Sequence, residues 1–94
     1  MNTASNSIKF QLGRLVATPS VLEQVPRSEL FAAVRRHQCG DWGDVDMCDK
    51  RENDAALRSG GRILSMYHSA EKTKFWVITE ADRSYTTVLL PSEY

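Results

Sequence analysis

Three side chains in this 94-residue chain have the chemistry of metal-independent RNA cleavage: His37 and Glu80 as the proton-transfer pair and Arg83 as a clamp for a phosphate. His37 stands at the end of an apolar stripe with Asp41 and Asp44 just beyond it, so a carboxylate can partner its imidazole, and a helix C-terminus there favours the protonated form. The same placement suits a half-buried histidine that hydrogen-bonds an aspartate or a carbonyl and ties the next loop down. The residues by themselves favour that second role. Glu80 and Arg83 belong to a polar turn with Thr79, Asp82 and Ser84, where an Asx turn at Asp82 and an Arg83–Glu80 ion pair would set hairpin register without any catalysis.

A second group of side chains suits binding rather than catalysis. Trp42, set between two glycines and two aspartates, is either a plug on the core edge or a recognition anchor, and packing is the simpler role. With Asp41, Asp44, Arg62, Asp82 and Ser84 it makes up the candidate binding set, carried by the 40–46 loop and the 80–84 turn as one surface. Asp41, Asp44, Asp46 and Asp49 do not reproduce the alternating acid pattern of a calcium loop. Nor do His37, Cys39, Cys48 and His68 have the paired spacing of a structural zinc site. No metal and no cofactor is expected. Arg35, Arg36, Arg58, Arg62 and Arg83 would form a phosphate-binding patch only if folding gathered them.

The elements that must hold these residues follow from periodicity. Residues 1–7 offer nothing to bury and are expected to be a disordered leader, with one domain over 8–94. Ile8, Phe10 and Leu12 alternate with polar residues, Gly13 interrupts, and Leu15, Val16 and Ala17 resume, the pattern of a strand or short hairpin. Ser20 and Glu23 have capping-box spacing for a short helix over 21–25. A longer helix over 28–38 has Ser28 as its cap and Leu30, Phe31, Val34 and His37 on one stripe. Asp46 caps another helix running to Arg58, closed by Gly60 and Gly61. Residues 62–68, 75–80 and 85–90 are rich in β-branched and aromatic types and joined by short connections, which predicts a three-stranded antiparallel meander. The whole is an α+β fold, an N-terminal strand and two to three short helices followed by the meander, with the helices on one sheet face and the other either partly covered by the N-terminal strand or available to a partner. Tyr94 is expected to pack back on the sheet.

Twelve Lys and Arg balance twelve Asp and Glu, with 41% hydrophobic and 26% charged residues. That composition excludes disorder, a disulfide scaffold and a generally basic nucleic-acid coat. Acid is dense between Asp41 and Asp54 while arginine recurs at 35, 36, 58, 62 and 83, so the neutral total can conceal two opposed patches. The polar N-terminus and short apolar runs predict a cytoplasmic protein without a membrane segment.

The stretch His37-Gln-Cys-Gly40-Asp41-Trp42-Gly43-Asp44 and the stretch from Ile78 through Thr79-Glu80-Ala81-Asp82-Arg83-Ser84 to Leu90-Pro91-Ser92-Glu93-Tyr94 resemble a family of short bacterial proteins of unknown function found on plasmids and other mobile elements. The resemblance implies a setting and no reaction. The expected function is therefore a binding or accessory module of a mobile genetic element, with a protein partner and a monomeric or homodimeric state. Docking of that partner by sheet addition at an exposed edge is a further expectation. The alternative is an endoribonuclease of barnase-like or toxin type, with RNA as substrate and His37, Glu80 and Arg83 at its centre.

Overall fold

A computed structural model describes residues 7–94; the leader expected over 1–7 lies almost wholly outside them. The fold is α+β. Strand β1 (Arg14–Ala17) is followed by helices α1 (Pro19–Gln24), α2 (Arg27–Gln38) and α3 (Met47–Ser59). Strands β2 (Ile63–His68), β3 (Lys74–Thr79) and β4 (Tyr85–Leu89) come next, then a single 3-10 turn, Pro91–Glu93.

The expected meander is present, with β2 antiparallel to β3 and β3 antiparallel to β4, but it is three quarters of a larger sheet. β1 adds to β4 in parallel, giving a four-stranded mixed sheet in the order β1-β4-β3-β2. The N-terminal strand therefore extends the sheet instead of covering its second face. A parallel neighbour needs a long crossover, and α1, α2 and α3 together with β2 and β3 supply it. Ile8, Phe10 and Leu12, despite their alternation, are not a strand; Phe10 turns inward instead. Gly13 marks the entry to β1, since a Cβ there would collide with the carbonyls of Arg83 and Ser84.

Helix caps divide the same way. Asp46 caps α3 by accepting from the amide of Asp49 at 2.8 Å, and Gly60 closes that helix in the left-handed conformation, both as the sequence predicts. The first short helix begins earlier than expected because Thr18 accepts from the Val21 amide and Pro19 takes the first helical position; Ser20 is not the cap. Ser28 does not cap α2 either, which follows Pro26 directly with no side-chain cap.

The sheet face carrying Ile63, Ser65, Tyr67, Phe75, Val77, Thr79, Thr86 and Val88 is buried. One core cluster joins Val21, Val25, Leu30, Ala33 and Val34 of α1 and α2 to Tyr67, Phe75, Val77 and Val88; a second joins Phe10, Trp42, Val45, Ala56 and Ile63. Along α2 the stripe is narrower than the sequence suggests. Phe31 lies about 100° around the helix from Leu30 and is 64% exposed, while Ala33 takes the buried position. On the opposite sheet face Tyr94 packs against Trp76, ring centroids 5.1 Å apart, as expected for a chain end that folds back.

Candidate functional site

His37 lies at 0% exposure between α2 and the buried sheet face. Its Nδ1 is 2.6 Å from Ser65 Oγ and its Nε2 2.9 Å from Thr79 Oγ1, which in turn is 2.7 Å from Thr86 Oγ1. The direction of this chain follows from its far end. Thr86 donates to the Leu12 carbonyl at 2.8 Å, and a carbonyl can only accept. Thr86 therefore accepts from Thr79, Thr79 accepts from Nε2–H, and Ser65 donates to Nδ1. Every proton is placed with a neutral imidazole.

Burial, and secondarily the positive charge of Arg83, lowers the His37 pKa to about 3. The protonated form expected at a helix C-terminus is thus not the one present near neutrality, because desolvation outweighs the dipole. A base must meet its substrate, and this imidazole is fully buried, bonded to two hydroxyls and packed beside the rings of Phe10 and Trp42, at 5.2 and 6.0 Å.

Arg83 is equally committed. Its guanidinium donates to the carbonyls of Gly61, Glu80, Ala81 and Ala56 at 2.7 to 3.1 Å and lies over the Phe10 ring. It closes the C-terminal end of α3 and the β3–β4 turn together, from a backbone with φ of 61°. The expected Arg83–Glu80 ion pair is replaced: Arg83 takes the carbonyl of Glu80, and its carboxylate meets Arg62 at 3.5 Å. Arg62 also donates to the Tyr94 hydroxyl at 2.8 Å. The Asx turn is present, with the Ser84 amide donating to Asp82 at 3.0 Å.

The loop after α2 is a strut along the β2 edge. Trp42 is buried and its indole N–H donates to Asp54 at 3.0 Å. Its carbonyl accepts from the Met66 amide, and Gly43 bridges to Met66 at φ of 75°, where a Cβ would collide with the Met66 carbonyl. Asp41 holds Arg36 with two bonds, at 2.7 and 3.2 Å, and its carbonyl accepts from Tyr67. Asp44 pairs with His68 at 2.8 Å. The sheet register sets this loop beside Met66 and His68 and the Glu80–Ser84 turn beside Arg62 and Ile63, at opposite ends of β2. The two connections are not one surface. They approach each other in the interior, where Phe10 lies between Arg83 and Trp42. Three of the candidate cations have partners, Arg36 and Arg62 in ion pairs with Asp41 and Glu80 and Arg83 on backbone carbonyls. Among the described residues no three His, Cys, Asp or Glu side chains gather as metal ligands would. Cys39 and Cys48 form no disulfide.

Open chemistry lies at the other edge of the sheet. Leu15 and Ala17 on β1, Leu22 on α1, Leu30, Phe31 and Val34 on α2, and Val88 line an apolar groove of about 180 Å³ with Arg27 at its rim. Leu15, Val16 and Phe31 are 41%, 40% and 64% exposed. Among the described residues β1 has no strand beyond it. Arg14 and Thr18 donate their amides to Ser84 and Val88 of the β4 side, so by alternation the peptide groups of Leu15 and Ala17 point outward. The sequence held one sign of this surface, the bulky adjacent pair Leu30-Phe31, of which α2 buries only Leu30.

Neither family models nor curated proteins nor solved structures contain a match to this chain. Among the described residues no helix is long and apolar enough to cross a membrane.

Proposed function

We propose that this chain is a binding module that receives a protein strand at the β1 edge, serving as an accessory of a mobile genetic element. The setting rests on the motif resemblance alone; the mode of binding rests on one observation, the apolar groove of Leu15, Leu22 and Phe31 running beside an unpaired strand edge. An edge strand with exposed apolar neighbours is a hazard that proteins ordinarily blunt with charge, proline or a covering loop. The β2 edge of this sheet is covered in that way by Gly43, whereas among the described residues nothing bridges to β1 from outside. Strand addition would satisfy the outward peptide groups of Leu15 and Ala17, and the groove would take apolar side chains from the added strand.

The nuclease alternative draws no support from the geometry. His37, Glu80 and Arg83 each spend their functional groups on the protein itself.

Panning a displayed peptide library against the protein tests the module. Enrichment of extended apolar sequences is expected, with binding abolished by Leu15→Asp and by Phe31→Asp and kept by Glu52→Lys on the far edge. Binding that survives both β1-side substitutions would overturn it.

A further inference from the structure

We infer that the strand received at β1 is β1 of a second copy, joining two four-stranded sheets into one of eight strands across a two-fold axis at Val16. The inference rests on the binding-module reading and names its partner.

The hydrogen-bonding pattern of the edge is self-complementary. Leu15 and Ala17 are the two residues whose peptide groups face outward. In an antiparallel pair centred on Val16, Leu15 of one copy stands opposite Ala17 of the other, and both positions are of the hydrogen-bonded kind. Two such pairs arise from the symmetry, using all the outward N–H and C=O groups of both residues. Shifting the register by one residue would place outward groups against inward ones and flip the apolar side chains to the wrong face.

Side chains agree with that register on both faces. Leu15 and Ala17 share the helix-side face with Thr86 and Val88, so pairing Leu15 with Ala17 of the second copy makes one apolar floor of two grooves, flanked by Leu22 and Phe31 from each side. On the other face the two half-exposed Val16 side chains meet at the axis in a close, non-hydrogen-bonded pair.

Charge supplies the third agreement. The register sets Arg14 opposite Thr18 of the second copy, whose hydroxyl donates at 2.8 Å to Glu93. Glu93 accepts also from the Leu90 amide, and these two bonds hold its carboxyl below the usual carboxylate range, so it is ionised and fixed at the end of β1. Arg14 forms no ion pair among the described residues and its guanidinium is exposed. The symmetry therefore brings two Arg14–Glu93 pairs together between copies.

Sedimentation equilibrium over a wide concentration range, with circular dichroism to confirm folding of each variant, reads the association. Wild type is expected to show a monomer–dimer equilibrium. Arg14→Glu, which turns both charge pairs repulsive, and Val16→Lys, which sets two ammonium groups face to face at the axis, are each expected to raise the dissociation constant about tenfold or more. Glu93→Arg combined with Arg14→Glu is expected to recover most of the loss. A wild type that remains monomeric, or a dimer indifferent to both Arg14→Glu and Val16→Lys, would overturn the proposal. If the monomer still binds library-selected peptides through Leu15 and Phe31, the dimer falls while the binding module stands; if neither association is seen, both fall.

Discussion

At the scale of single residues, the groups with the richest chemistry are spent on holding the chain together. His37 is the clearest case, because its depressed pKa makes folding favour the neutral imidazole. In the unfolded chain it protonates near 6.5 and in the folded protein only near 3, so the unfolded state binds more protons between those values. Stability from this group is therefore complete above about pH 6.5 and is lost as the pH falls, with a slope approaching about 1.4 kcal/mol per pH unit. Asp41, held below the usual carboxylate range by Arg36, shares the direction of that loss at lower pH. Urea unfolding at a series of pH values is expected to show a shallower acid slope in His37→Gln than in wild type. Equal slopes would remove His37 as the source. Arg83→Ala is expected to cost about 2–3 kcal/mol, since it orphans carbonyls of α3 and of the β3–β4 turn at once, and Arg83→Lys is expected to recover little because one ammonium cannot reach them all. Thermal denaturation of the two variants checks this.

At the scale of elements, what could be read from the sequence was what neighbouring residues determine. The meander was legible because short connections leave consecutive strands no other pairing, and α3 because Asp46 and Gly60 mark its ends with local hydrogen bonds and backbone conformation. The parallel pairing of β1 was not legible. It joins residues about 70 positions apart, and nothing near Leu15 in the chain records that Thr86 will lie beside it. The candidate site failed for a related reason. Residue type grouped His37 with Glu80 and Arg83, and Trp42 with the 80–84 turn on one surface, but residue type does not say whether a group faces water or the core, and His37 and Trp42 are buried, with Phe10 between Trp42 and Arg83. Exposed Phe31 was the local sign that could have redirected attention. β1 is also the element most open to separate disruption. Gly13→Ala drives a Cβ into the carbonyls of Arg83 and Ser84, and is expected to release β1 while leaving β2–β4 paired. Native-state hydrogen exchange should then show lost protection at Val16 and retained protection at Val77. Loss at both would mean that the sheet opens as one unit.

At the scale of the whole molecule, the sheet has, among the described residues, one closed edge and one open one. α3 and the Trp42 loop seal β2, carrying with them Asp41, Asp44, Asp46 and Asp49, while Arg14 and Arg27 stand at the β1 side. Part of the neutral total is cancelled in local pairs, Arg36 with Asp41 and Arg62 with Glu80. An open edge beside an apolar groove is where the fold can gain most from a partner, and its two outward amides are the atoms that report on one. Amide exchange at Leu15 and Ala17, followed with and without a saturating library-selected strand peptide, reads them individually. A module that binds by strand addition slows both on binding and leaves Arg14 and Val16, already bonded to β4, nearly unchanged. Exchange at Leu15 and Ala17 that stays fast while amides around Trp42 or Glu80 slow would contradict it.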